Sequence, residues 1–303
     1  MRLEKSSEKS SEKSNATRRS FFKWTAATAL AATYTGGSGL VSQISQPVFA
    51  AERPGKKQPP FKLGLASYTL RKFPLDQALA ITQQVGLDWI CLKSFHLPLE
   101  ASIDEIKQVR QKVADLGFTL YAGGVITMTT REQIEQAFSY AQAAGMQLII
   151  GVPGPGLLDL VNEKVQQTRI GVAIHNHGPG DRLYPLPETA YQRIQNLDKR
   201  IGLCIDIGHT LRAGVDPSES AKKFADRLLD VHIKDITEPT AQGRPVEMGR
   251  GVIDIPRFLE TLLEINYTGV VAFEHEKDPD SPQVGLAESV GYTRGVLDTL
   301  LRG

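Results

Sequence analysis

Five of the six histidines lie between residues 175 and 275, each with an acidic side chain or a second imidazole nearby in sequence. They fall in four stretches: Ala173-Ile174-His175-Asn176-His177, Cys204-Ile205-Asp206-Ile207-Gly208-His209, His232-Ile233-Lys234-Asp235 and Phe273-Glu274-His275-Glu276. Imidazoles and carboxylates together do two kinds of chemistry. They ligate divalent transition metals, and they carry protons near neutral pH. Taken singly, any of these side chains reads as a satisfied polar group. Taken together they ask for a cation, because buried carboxylates are costly to desolvate without one.

The elements that carry them decide whether they can meet. A strand presents alternate residues to one side. Ala173, His175 and His177 share a face, as do Cys204 and Asp206, then Asp230, His232 and Lys234, then Val270, Ala272 and Glu274. His175, Asp206, His232 and Glu274 can therefore point inward from four consecutive strands. Neighbouring strands stand about 4.8 Å apart, so the four groups can converge on one ion. Parity leaves His175 and His177 as competing ligands on the first of these strands.

The wider pattern is regular from Phe61 onward. Strand candidates span 63–67, 88–93, 118–124, 147–152, 170–175, 201–207, 228–234 and 269–274. Each is apolar on both parities, as parallel strands covered by helices are. Helices are signalled in the gaps. Ser102-Ile103-Asp104-Glu105 and Thr129-Thr130-Arg131-Glu132 read as capping boxes. Asp216-Pro217 places proline at a first helical position, and Gly86, Gly117 and Gly145 end helices just before the next strand. Eight strands and eight helices in about 250 residues predict an α/β fold, a single-domain (β/α)8 TIM barrel. A doubly wound sheet would want a glycine-rich turn after Ser67, and there is none. Loops into strands are minimal, whereas those leaving strands are long, at 151–155, 176–187, 235–253 and 275–285. That asymmetry puts the working face at the carboxyl ends of the strands.

The first fifty residues are of another kind. Glu-Lys-Ser recurs at Glu4, Glu8 and Glu12 in a polar start with nothing to bury, which predicts disorder. Thr17-Arg18-Arg19-Ser20-Phe21-Phe22-Lys23 then precedes an uncharged run, 24–41, and a small-x-small site at Val48-Phe49-Ala50. The order is that of a secretory signal peptide, and the paired arginines resemble a twin-arginine signal. Thr, Gly and Ser dilute the run too far for a stable membrane anchor. The expected organisation is a twin-arginine signal peptide at 1–50, a linker at 51–60 and the barrel at 61–303, with cleavage after Ala50. The expected partner is the twin-arginine export machinery, and the expected location is the periplasm or the exterior.

The chain of 303 residues has 35 Lys+Arg against 34 Asp+Glu. The first fifty residues hold 7 of the bases and 3 of the acids, so the remainder has 28 against 31 and a formal charge of −3. A mildly acidic domain offers no footprint for nucleic acid. Two cysteines cannot form a disulfide scaffold. Cys91 and Cys204 fall on strands across the barrel from one another, beyond the roughly 7 Å that a bridge spans, so free buried thiols are expected.

At Asp206-Ile207-Gly208-His209, His232-Ile233-Lys234-Asp235, Met248-Gly249-Arg250-Gly251 and Glu274 the chain resembles the xylose isomerase-like TIM barrels, the sugar phosphate isomerase/epimerase superfamily. The resemblance covers about 61–302. It implies a divalent metal, often manganese, held by a strand-five Glu, a strand-six Asp, a strand-seven His and a strand-eight Glu. Asp206, His232 and Glu274 match three of these. His209 matches the family histidine that contacts substrate beside the metal. The strand-five Glu is replaced by His175, which removes one charge and adds a nitrogen ligand, favouring Mn, Fe, Co, Ni or Zn over Mg.

Such a site supports proton transfer α to the carbonyl of a carbohydrate, with the developing enediolate stabilised by the cation. Glu274 is the candidate general base, with His175 or His177 as the opposing acid/base group. Lys234 is a candidate oxyanion stabiliser, or else an ion pair with Asp235, Glu276 or Glu247. Lys93, Arg250 and Glu276 join His209 as candidate substrate contacts, and the loop bearing Glu247 and Arg250 either closes over the ligand or is a purely structural long loop. Three functions compete: a metal-dependent sugar isomerase or epimerase, a lyase or hydratase on a keto-sugar of the 3-keto-glycoside type, and a non-enzymatic carbohydrate-binding barrel. An endonuclease would want a basic groove and more ligands. Oligomeric state is left open.

Overall fold

Short apolar runs rich in Ile, Leu and Val form the strands, and amphipathic segments between them form the helices that cover them. The computed structural model describes residues 57–302. The signal-peptide expectation lies outside them. In chain order the strands are β1 Lys62–Ala66, β2 Trp89–Leu92, β3 Thr119–Met128, β4 Leu148–Pro153, β5 Gly171–His175, β6 Ile201–Asp206, β7 Leu228–Ile233 and β8 Val270–Phe273. All pair in parallel with their sequence neighbours, and β1 closes the ring on β8. The (β/α)8 barrel is thus the fold.

Nine α-helices appear among the described residues rather than eight: α1 Leu75–Gln84, α2 Ile103–Asp115, α3 Arg131–Ala144, α4 Leu158–Thr168, α5 Pro187–Ile194, α6 Ile207–Arg212, α7 Pro217–Lys223, α8 Ile255–Glu264 and α9 Gln283–Leu300. The extra one is α6, which starts directly on Asp206, so β6 is followed by two helices. Ser102 and Glu105 form the expected capping box of α2. On α3 the box lies one residue later than expected. Thr130 is the cap, and the Gln133 side chain accepts from Thr129 N at 2.7 Å and Thr130 N at 3.1 Å. Gly86, Gly117 and Gly145 take φ of +72°, +84° and +67° where the chain turns back toward a strand, a conformation that favours glycine.

Two apolar layers result. Large aliphatic and aromatic side chains fill the space between strands and helices. Inside the barrel the residues are mostly small: Ala66, Ala122, Ala173, Ala272, Cys91 and Cys204, with Tyr121 among them. β3 runs past its expected end because a register shift between Gly124 and Ile126 lets Thr127 and Met128 pair with Val152 and Pro153. The segment after β7, expected to be one open loop, contains a small antiparallel ribbon of Asp235–Ile236 with Pro245–Val246. Both cysteines are free and buried.

Candidate metal centre at the barrel mouth

The last inward residues of β5 to β8 meet because the strands end side by side. Asp206 stands in register with His232, and His232 with Ala272. Glu274, one residue beyond β8, donates its N–H to Ile233 O at 3.1 Å. One donor atom from each of His175, Asp206, His232 and Glu274 consequently lies within 4.8 Å of the other three. His175 Nε2 is 3.1 Å from His232 Nδ1 and 3.6 Å from Asp206 Oδ2. His232 Nδ1 is 3.4 Å from Glu274 Oε2. Bonds of about 2.0–2.2 Å around a tetrahedral cation put ligand atoms roughly 3.3–3.6 Å apart; two of these edges lie in that range and the third, 3.1 Å, falls just short of it. All four side chains are buried. Asp206 Oδ2 accepts no well-formed hydrogen bond. Two imidazoles and two carboxylates suit a divalent transition cation.

His175 stands in this set and His177 does not. The His177 ring packs beside His175 with centroids 4.5 Å apart, and its Nδ1 faces Asp181 Oδ2 at 3.4 Å. It is partly exposed, above the ligand set. Asp181 is held in turn, its Oδ1 accepting from Leu183 N and Tyr184 N at 2.7 and 2.8 Å. His209 lines the same mouth, 6.0 Å from His177 by ring centroids. Its N–H donates to Asp206 Oδ1 at 2.8 Å, which makes Asp206 the N-cap of α6. Asn176 steadies the backbone here, accepting from Asp206 N at 3.1 Å and donating to Thr210 Oγ1 at 3.1 Å. Sequence reasoning passed over Asp181 and Asn176. The only signal for Asp181 was an acid four residues beyond a histidine in a long loop.

Lys234 reaches into the centre. Its Nζ lies 2.9 Å from Asp206 Oδ2 and 2.8 Å from Glu274 Oε2, and it also donates to Glu276. Of the three ion-pair partners considered from sequence, Glu276 is the one it takes. Asp235 is occupied by backbone N–H groups and Glu247 by Lys277. Gly208 makes room for this lysine, since a Cβ there would stand 2.5 Å from Lys234 Cγ.

Charge follows from these contacts. Burial works against ionised Asp206 and Glu274, but Lys234 beside both holds their carboxyls well below the usual range, helped by His209 at Asp206 and His232 at Glu274. Burial likewise opposes the Lys234 ammonium, and Asp206, Glu274 and Glu276 more than restore it. Burial pushes the His175 imidazole down toward its neutral, metal-binding form. It also lowers His177 and His209. For His232 burial is outweighed by Glu274 and Asp230, which raise it.

The remaining candidates separate. Lys93 lies over the Tyr68 ring, its Nζ 5.0 Å from the centroid, and its charge helps hold Glu274 ionised. Arg250 is exposed. It pairs with Glu288 through contacts of 2.5 and 2.8 Å on the exposed face of α9.

Residues 79–296 match the pattern of the xylose isomerase-like TIM barrels. The chain belongs to that family. Among curated relatives, this family member is 28% identical over 142 residues to the rhizopine catabolism protein MocC of Rhizobium meliloti, covering 42% of this chain and 43% of that one. It is 31% identical over 94 residues to inosose dehydratase of Geobacillus kaustophilus, covering 26% and 30%. The matches span less than half the length of these relatives. Among solved structures, L-ribulose 3-epimerase superposes with a TM-score of 0.66 at 16% identity, over 80% of this chain and 96% of that one. The IOLI protein, solved with a zinc atom, gives 0.65 at 18% identity over 80% and 98%. At such identities the likeness concerns the fold. The family includes epimerases and dehydratases, and the ligand set found here fits a divalent metal.

Proposed function

We propose that the protein is a metal-dependent sugar isomerase or epimerase that moves a proton at the carbon beside a carbonyl. The observation that carries this is the convergence of His175, Asp206, His232 and Glu274 on one point at the open end of the barrel. These four residues would hold the cation, with manganese the first expectation and Zn, Fe, Co or Ni also matched by the donors. When bound, a divalent cation there would act as a Lewis acid toward a carbonyl and its neighbouring hydroxyl. Glu274, kept ionised by Lys234, is the general base. His177, beside His175 and Asp181, is the opposing proton carrier. Lys234 stabilises negative charge that develops on substrate oxygen, and His209 and Lys93 bind hydroxyls at the rim.

A second reading is a dehydratase or hydratase on a keto-sugar. It is favoured by the strand-five histidine, which leaves Glu274 without a second carboxylate opposite it, and by the inosose dehydratase relative. Residues 1–50 support an exported protein, whose substrate would then be an unphosphorylated sugar or glycoside.

Incubation of the metal-loaded protein with ketohexoses and 3-keto-glucosides in D2O separates the readings. Carbon-bound deuterium at unchanged formula supports isomerisation or epimerisation. Loss or gain of one water supports the second reading. Glu274→Gln and Asp206→Asn are expected to lose both metal and exchange. Full metal content and exchange in either variant sinks the proposal.

A further inference from the structure

The His232 ring lies between two carboxylates. Its Nδ1 is 3.4 Å from Glu274 Oε2, within the ligand set, and its Nε2 is 3.5 Å from Asp230 Oδ2, deeper in the barrel. A neutral imidazole carries one N–H. With the proton on Nδ1, the ring would donate to His175 Nε2 at 3.1 Å or Glu274 Oε2 at 3.4 Å and have no lone pair for a cation. With the proton on Nε2, the ring would donate to Asp230 and leave the Nδ1 lone pair facing the ligand set. The hydrogen bond made by one ring nitrogen decides what the other can ligate.

Asp230 has no evident structural task. It is fully buried, two residues before His232 on the same inward face of β7. No lysine or arginine pairs with it among the described residues. Cys204 donates its thiol to Oδ2 at 3.2 Å. The Tyr121 hydroxyl lies beside it without closing a well-formed hydrogen bond. Asp230 Oδ1 and His232 Nε2 are both without hydrogen-bond partners. A carboxylate in a chamber of alanines and cysteines costs stability, so packing alone does not account for it. The 3.5 Å gap to His232 exceeds a closed N–H···O bond by about half an ångström, a distance that a small ring rotation covers.

We propose that Asp230 is a positioning residue that keeps the His232 proton on Nε2, so that Nδ1 is free to bind the cation. The proposal rests on the metal reading above and adds to it a residue outside the ligand set. Asp230 on the Nε2 side then competes with His175 and Glu274 on the Nδ1 side for one proton, and the outcome decides whether the site accepts metal.

The test uses the full chain, Asp230→Ala and Asp230→Asn, titrated with Zn2+ by calorimetry after chelator treatment. Asp230→Ala is expected to bind about 10- to 100-fold more weakly, with an apo-protein denaturation midpoint equal to or above wild type. A merely structural role would lower that midpoint. Asp230→Asn keeps one acceptor oxygen and is expected to fall between the two, and it stands in if the alanine variant does not fold. Nitrogen-15 spectra of metal-free protein, recorded at a pH high enough for a neutral ring, are expected to show His232 with its single proton on Nε2, shifting toward Nδ1 in the alanine variant. Three results overturn the proposal: equal affinity in all three proteins, the single proton of the neutral wild-type ring on Nδ1, or a second equivalent of Co2+ with a thiolate charge-transfer band from Cys204, which would make Nε2 a ligand. If wild type takes up no metal, the metal reading fails by itself, and the tautomer spectra still decide the role of Asp230.

Discussion

Lys234 balances charge at the barrel mouth. Two buried carboxylates face its ammonium, and the residue types alone did not show whether this lysine would serve the substrate or an ion pair. Its length places Nζ between Asp206 and Glu274, so in metal-free protein it is their counter-ion. Lys234→Met is therefore expected to destabilise the chelator-treated protein by about 3–5 kcal/mol, the usual cost of stranding buried charge. Added Zn2+ should recover much of that loss, since a divalent ion neutralises the same oxygens. Urea unfolding with and without metal measures both effects. A variant as stable as wild type in chelator would show that the carboxylates are not paired with Lys234. The ligand types and their inward parity were readable in the sequence. Asp181 was not, because its link to His177 depends on how the loop 176–187 folds back.

At the level of elements, the segment after β7 departs most from expectation. Its length suggested a lid closing over the ligand. Asp235 anchors it, accepting from Ile236 N, Gly249 N, Gly251 N and Ile253 N at 2.8, 3.0, 2.9 and 3.1 Å. Met248 N adds a bond to Ser289 Oγ at 3.1 Å. Arg250 is carried outward by this turn and meets Glu288. Asp235→Ala strands these N–H groups and is expected to cost on the order of 3 kcal/mol. Amide exchange at 249–253 should rise well above that of β7. Unchanged protection there would mean that the turn holds without Asp235. Length marks a loop, but a single side chain with four backbone donors is invisible until the loop is folded.

Across the whole molecule, the candidate metal centre lies at the carboxyl ends of the strands, and a set of arginine contacts ties β6 to β7 at their amino ends. Arg227, buried just before β7, donates to the carbonyls of Asp198, Ile201, Gln195 and Leu197 at 2.8–2.9 Å. It knits the turn ahead of β6 to β7. Arg200 grips Asp198 by two contacts of 2.9 and 2.6 Å and holds its carboxyl at about 2. In an unfolded chain the same group titrates at about 3.9. The folded value is depressed, so its stabilisation is whole above about pH 4 and is lost as pH falls through about 2. The difference in unfolding temperature between wild type and Asp198→Asn should therefore shrink from about pH 6 to about pH 2. A constant difference would show that the carboxylate charge is not what Arg200 stabilises.

Alternating apolar runs, helix caps and glycine stops were enough to specify a (β/α)8 barrel, because each is a local consequence of backbone geometry. Period-two parity was enough to turn His175, Asp206, His232 and Glu274 inward, since it depends only on each strand's own residues. Folding chose His175 over His177 by ending β5 at His175, so that the next turn lifts His177 away. It also gave Lys234 its carboxylate partners, sent Arg250 to the surface and set Asp230 behind His232. Those outcomes depend on which side chains from distant parts of the chain reach the same few ångströms, and no local pattern encodes that.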